Sequence, residues 1–587
     1  MNKIKYPIAV AAFTLLAATS ASAANYVYGN TVNDGNQTMN DSRNWFEVSS
    51  FEGLTGYEGL TRLSETNTKL APTASDNLLV KNFNMSDLIG EYYQPADALL
   101  SDSGSVYNMR SQSFGFQANP SGANLFEVGN LTFSVDQNYV LNTSPRTAAQ
   151  NSNVDNNFHW RPQGIDGNVK IHGTLTLEKS SKLTIQGDSA AAGTWNTIDI
   201  GQLVISTSGA GAKSQLNLGN RIKEIRIGVQ DNGSGTLVAN GQTSTLSNGS
   251  GMYFNMDMGF NGGANSQVYI GNFTTDAGSD LHIKGGDFHF LGETHFNGNV
   301  VVLHTPGLSF SGNITKGAGS GMDFRLGHYT GTFTNNGTLN MTNIENPTAA
   351  LSFTGALINS GTFNFGKGTF NGTIENTGTI NLERTGHAEA HLIPVAVMTA
   401  NVVNRKTFTA KDDVKFKGSF RAIGKNSVST FKGTSTADLS NATLRMENAL
   451  VSVSESAKML ILNTTLVYDF ESSAAFNPIL EFATIANIDS LSDIFATDFS
   501  FMNIDEGTYD LIRFLDTNMY SSLQDIIDAG GTYNFKDWST YHLYEGTFIE
   551  SEDGVFAITF VLIPEPSTYA AIFGLLALAL AVYRRRK

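Results

Sequence analysis

Gly331-Thr332-Phe333-Thr334-Asn335-Asn336-Gly337-Thr338-Leu339-Asn340 returns as Gly355-Ala356-Leu357-Ile358-Asn359-Ser360-Gly361-Thr362-Phe363-Asn364, and again as Gly372-Thr373-Ile374-Glu375-Asn376-Thr377-Gly378-Thr379-Ile380-Asn381. The copies begin 24 and then 17 residues apart and share G-[TA]-apolar-x-N-x-G-T-apolar-N. Glycine relaxes the backbone at a corner, Thr-apolar pairs form strands with one face inward, and Asn tolerates tight turns and can stack into amide ladders. One such unit cannot bury its own apolar residues, so the copies must stack. A spacing of about 20 residues suits one coil of a β-solenoid. The same Asn-x-Gly turns also suit hairpins of an antiparallel sandwich.

Working outward, period-2 alternation continues through Val169-Lys170-Ile171-His172-Gly173-Thr174-Leu175-Thr176-Leu177 and Lys182-Leu183-Thr184-Ile185, while helical periodicity is almost absent. The reading is a mainly β chain: an elongated, parallel β-helix-like solenoid over 161–480, with capping segments at 24–160 and 481–562. The second cap holds two strands, Glu506–Phe514 and Gly554–Phe560. Between them one short helix is expected from the Ser521-Ser522-Leu523-Gln524 capping box, Ile526, Ile527 and the Gly530-Gly531 stop.

Composition narrows the function classes. The 587 residues contain no Cys, which excludes disulfides, thiolate metal sites, Fe–S clusters and a cysteine nucleophile. A net charge of -16 opposes nucleic-acid binding, which depends on phosphate-neutralising Lys and Arg. With 58 Gly, 12 Pro and 41% hydrophobic residues, the chain is turn-rich but too apolar to be disordered.

The ends carry addresses. Lys3 and Lys5, the apolar run Ile8–Ala18 and Ala21-Ser22-Ala23 form a signal peptide over 1–23, with cleavage expected before Ala24 by signal peptidase. At the other end, Pro564-Glu565-Pro566 precedes an uncharged stretch, 569–583, and then Arg584, Arg585, Arg586 and Lys587. That stretch reads as one short C-terminal hydrophobic helix expected to cross the membrane, with the basic cluster on the cytoplasmic side. The two prolines keep Glu565 out of helix and sheet, which makes an extended stub that a protease can bind.

The tail 563–587, with this motif, span and basic end in order, resembles the PEP-CTERM family. The resemblance implies recognition by an exosortase-type membrane protease that removes the span, in bacteria that often make exopolysaccharide. Asn44-Trp45 and Pro72-Thr73-Ala74-Ser75-Asp76-Asn77-Leu78-Leu79-Val80, together with the closing strands, resemble autotransporter-like envelope proteins.

Chemistry is sparse. Asp287, His289, Glu293 and His295 share a face if their strand is continuous, and His387, Glu389 and His391 alternate likewise, but nothing brings three ligands to one ion. No metal or cofactor is expected. Asp276 and Asp280, with Arg221, Lys223 and Arg226, are the residues that a polysaccharide-active enzyme on a β-helix would use. Without a convergent catalytic set, the expected role is a non-catalytic structural or adhesive protein. It is exported to the cell envelope or extracellular matrix, transiently held at the inner membrane by its C-terminus, and associated with exopolysaccharide. The alternatives are the enzyme and a permanently anchored surface protein.

Overall fold

In the computed structural model, the described residues are Ala24 and the strands that follow it to Trp160, most of 167–563, and the helix Pro566–Arg585. The largest stretches outside them are 1–23, 29–42, 50–59, 65–76, 81–123, 143–157, 187–195, 257–265, 384–395 and 517–526. The chain is mainly β, with two long sheets whose pairings are almost all parallel, consistent with a β-helix- or solenoid-like body.

The repeat copies decide the pairing. Gly327–Asn335 lies parallel to Leu351–Asn359 with Gly331 opposite Gly355 and Asn335 opposite Asn359; Leu351–Asn359 pairs with Thr369–Asn376 in the same register. Thr338–Met341, Thr362–Phe365 and Thr379–Glu383 pair in parallel in the second sheet. Each turn of the chain therefore lays down three short strands, two on either side of a glycine bend in the first sheet and one in the second. Hairpins of an antiparallel sandwich would give antiparallel partners, so that alternative is ruled out for the repeats.

The bends are packed backbone on backbone. A Cβ on Gly331 would sit 2.1 Å from the Gly312 carbonyl oxygen, one on Gly355 2.0 Å from that of Gly331, and one on Gly372 1.7 Å from that of Gly355. All three have φ in the left-handed half of the map, +143°, +136° and +152°.

Inside the turns, apolar residues form one continuous core. Tyr329, Phe353 and Phe370 succeed one another in register, with ring centroids 4.6 Å apart at both steps. A polar row runs beside them. Fully buried Asn335, Asn359 and Asn376 each donate from Nδ2 to the Oδ1 of the next Asn at 2.7 Å, ending at Asn404, whose amide donates to the Ser427 and Ser429 hydroxyls. One turn earlier the row is occupied by Lys316, also fully buried, whose Nζ donates to the carbonyls of Phe296 (3.1 Å) and Gly298.

Both ends of the parallel stack turn antiparallel. Asn25–Tyr28 pairs in parallel with Asn77–Val80 and antiparallel with Trp45–Val48, where Trp45 and Phe46 are fully buried. At the far end Gly507–Phe514 takes Ile479–Phe482 in parallel on one side and Val555–Leu562 antiparallel on the other; Leu543–Glu552 and Thr532–Lys536 extend the antiparallel run. Fully buried Asp537 there accepts the backbone N–H groups of Asn503 and Ile504. The capping box and glycine stop of the helix expected near 521–531 lie outside the described residues, although Ile527 is helical and packs on the core. Two short turns not expected from the sequence, Ile485–Asn487 and Ser492–Phe495, are present.

The tail forms one helix, Pro566–Arg585, but the expected crossing over 569–583 is corrected: among the described residues no helix is long and apolar enough to cross a membrane. Length is the physical reason, since the uncharged run rises about 22 Å against a hydrocarbon core of about 30 Å.

Replacing Gly372 by Ala is expected to lower stability by about 1–3 kcal/mol. Gly321→Ala, where an added Cβ meets nothing within 4 Å, stays within about 0.5 kcal/mol of the parent. Urea midpoints measure both, and equal midpoints would show that the bends are not tight.

Lys316 gives a second test. Burial lowers its pKa from the ordinary 10.5 to about 8. Between these values the unfolded chain binds more protons than the folded one, so the Lys316 contribution becomes more favourable as pH rises through that window. The stability of Lys316→Met relative to the parent should accordingly decline between pH 8 and 10.5, whatever its offset at neutral pH; a pH-independent difference would contradict a buried cation.

Candidate functional site

Because the stacked strands of the repeats turn their apolar side inward, chemistry there is confined to the outward ranks. In the second sheet these are Thr338, Thr362, Thr379 and Thr407, with Asp323, Asn340, Asn364 and Asn381 beside them. Asn381 donates to Asn364 (2.9 Å), Asn364 to Asn340 (2.7 Å) and Asn340 to the Asp323 carboxylate (2.8 Å), so the outer face carries a half-exposed amide ladder of its own. Further along the first sheet the outward groups become charged: Arg421 and Arg445 both reach Glu447, and Arg445 bonds Asp469 at 2.9 Å.

The strand Asp287–Phe296 is continuous, as its alternation requires, and Asp287, His289, Glu293 and His295 all point outward. They do not converge on an ion. Asp287 accepts from the Ser309 hydroxyl and the Gln267 amide at 2.8 Å each. His289 Nε2 lies 3.0 Å from Gln267 Oε1, an acceptor, so Nε2 carries the proton and Nδ1 accepts from the Ser311 hydroxyl at 2.8 Å. Tyr269 stacks on the His289 ring with centroids 4.8 Å apart. Burial lowers the His289 pKa and raises that of Tyr269. Among the described residues no group of three or more His, Asp or Glu is placed to hold a metal; His387, Glu389 and His391 lie outside them.

No family model, curated protein or solved structure matches this chain. The reading of its surface rests on its own residues.

The carboxylate pair considered from the sequence is not brought together. Asp276 sits on an exposed turn made by Gly278 at φ +82°, and Asp280 opens the next strand, paired with Lys213. Arg226 is held by Glu224, Lys223 is exposed, and Arg221 lies outside the described residues. Asp199, one coil before Arg226 in register, was missed from the sequence; burial raises its pKa. Also missed was the hairpin Val229–Asp231/Leu237–Ala239, although Asp231-Asn232-Gly233-Ser234-Gly235 between apolar pairs is a turn signal.

Of the sorting residues, Ala24 is half-buried and packs on the core. Ala21, Ala23, Pro564, Glu565, Arg586 and Lys587 lie outside the described residues. Pro566 is the first residue of the tail helix, the position where its missing N–H costs nothing, and Arg584 and Arg585 lie in the last turn. Between them Phe573, Leu575, Leu578 and Leu580 are exposed.

The lowered His289 pKa has a stability consequence. His289 is folded in its neutral form, so its contribution is full above the ordinary value of 6.5 and is lost as pH falls below it, where the unfolded chain binds more protons. His289→Gln should flatten the acid limb of a stability–pH curve below about pH 6.5; an unchanged limb would mean that the ring is not desolvated.

Proposed function

We propose that the chain is an exported, non-catalytic structural or adhesive protein of the cell surface or extracellular matrix. Its body is an elongated β-solenoid closed at both ends by antiparallel strands. Signal peptidase releases the chain at Ala24, and an exosortase-type membrane protease acts at Pro564-Glu565-Pro566. Before processing, the tail holds the protein at the inner membrane.

The observation that carries this reading is the contrast between body and tail. The body sends its apolar side chains into one core and offers water mainly polar ranks, whereas Pro566–Arg585 leaves large apolar side chains exposed and ends in Arg584 and Arg585. A bare apolar helix with a basic end requires a lipid or protein partner to cover it. A tail of this length associates with the membrane through partial insertion and with the protease that cuts it. Regular Thr and Asn ranks support the adhesive role, since they present hydrogen-bonding groups to an exopolysaccharide at the strand spacing of about 4.8 Å.

Mass spectrometry of the protein recovered from its producing cells tests the reading. The expected result is a C-terminus close to Pro564–Pro566 and an N-terminus at Ala24, with Pro564→Ala/Pro566→Ala abolishing the C-terminal cut. Most molecules ending in Arg586-Lys587 would refute processing and favour a permanently anchored protein.

A further inference from the structure

One part of the first sheet carries aromatic and charged side chains where the coils that follow it carry mainly small hydroxyls. Asp199, Arg226, Tyr269 and His289 follow one another in a single outward column on four consecutive coils, and Glu224, Gln267 and Asp287 form the column beside them. The same columns continue into Ser309 and Ser311, then His328 and Thr330, then Ser352 and Thr354. All seven residues of the patch are half-buried. Burial shifts Asp199, Tyr269 and His289 each toward the neutral form, so the patch is partly shielded from water before anything binds it.

The patch also has a wall. Directly after the strand Ile222–Ile227, which carries Glu224 and Arg226, the chain leaves the coil as the hairpin Val229–Asp231/Leu237–Ala239 and returns to the strand Thr243–Leu246. The hairpin is stiff. Asp231 accepts the N–H groups of Gly233 (2.7 Å) and Gly235 (3.0 Å), and Asn232 accepts that of Ser234 (3.0 Å). Its base is tied to the preceding coil by Asn240 Nδ2 donating to the Gly201 carbonyl at 2.7 Å, and its return strand lies against Asp287–Phe296.

A column of aromatic rings that turns its edges outward, bordered by guanidinium, carboxylate and amide groups, suits a saccharide: the ring edges meet its C–H groups and the planar, directional groups meet its hydroxyls. The charge balance favours an uncharged chain. Arg226 is neutralised by Glu224, and a protein of net charge -16 repels a polyanion.

We propose that this trough, floored by Asp199, Arg226, Tyr269 and His289 and walled by the 229–239 hairpin, binds a neutral polysaccharide. The sugar rings lie over the Tyr269–His289 stack and their hydroxyls meet Arg226, Glu224 and Asp199. The proposal rests on the reading that the exported body meets glycans, and narrows the contact to one place and one class.

Isothermal titration of the purified full chain with the hexamers of β-1,4-glucose, α-1,4-glucose and β-1,4-N-acetylglucosamine, and with a galacturonate hexamer, tests it. The expected result is saturable binding of at least one neutral hexamer, weakened about tenfold or more by Tyr269→Ala and by Arg226→Gln. It should be unchanged by Asn371→Ala, further along the same column. Urea midpoints confirm that each variant is folded, and Arg226→Gln alone decides if Tyr269→Ala is not. No binding to any neutral hexamer, preference for the galacturonate, or binding indifferent to the folded patch variants would each overturn the proposal. Processing of the tail is read separately, so failure here and failure of the sorting reading are distinguishable.

Discussion

Everything in the body depends on how closely one coil can lie on the next. Parallel strands hydrogen-bond at about 4.8 Å, and a chain that must bend within that spacing brings carbonyl against α-carbon at each corner. Gly312, Gly331, Gly355 and Gly372 meet that constraint, and a second column, Gly337, Gly361 and Gly378, meets it at the next bend, where an added Cβ would lie 2.0 to 2.4 Å from the backbone carbonyl oxygen of the glycine one coil earlier. Once these corners close, the strands between them are forced into register. Register then places phenylalanine over phenylalanine inside and threonine beside threonine outside.

The same constraint explains what could be read from the chain alone. Coils with glycine at both corners and asparagine between them announce themselves, and the copies from 331 to 381 pair as their likeness implies. The neighbouring coils are disguised. In one, Ala400 stands opposite Gly372 and Arg405-Lys406 replace the second bend, while Asn404 keeps its place in the row; in the other, Lys316 occupies the asparagine position. Connectors vary in length because they lie outside the stacked strands, so a fixed sequence period is lost while the spatial one persists. Parallel pairing is expected from the need of the copies to stack, although an Asn-x-Gly turn serves a hairpin equally well, and the copies do pair in parallel.

Sites were harder to read than coils. Alternation places Asp287 and His289 on one side, but which residues stand next to them is set by coils 20 residues or so away, and Gln267, Ser309 and Ser311 fill their bonding capacity. Asp276 and Asp280 are near in sequence and are separated by a turn, whereas Asp199, Arg226 and Tyr269 are far apart in sequence and adjacent in register. In a stacked coil the chemical neighbourhood runs across the strands, at right angles to the direction in which a sequence is read. The tail behaves oppositely, since its features lie within a single segment.

The buried amide row has a polarity. Asn335, Asn359 and Asn376 each pass a hydrogen toward the C-terminal side, so the row is a chain of aligned dipoles with oxygen at one end and N–H at the other. The N–H end is received by Ser427 and Ser429, and the oxygen end, Asn335 Oδ1, has no hydrogen-bond partner and faces the coil of Lys316. The row is therefore directional: its amides close on one another and on the serines in one orientation only. Reversing a single amide would break the row at two joints.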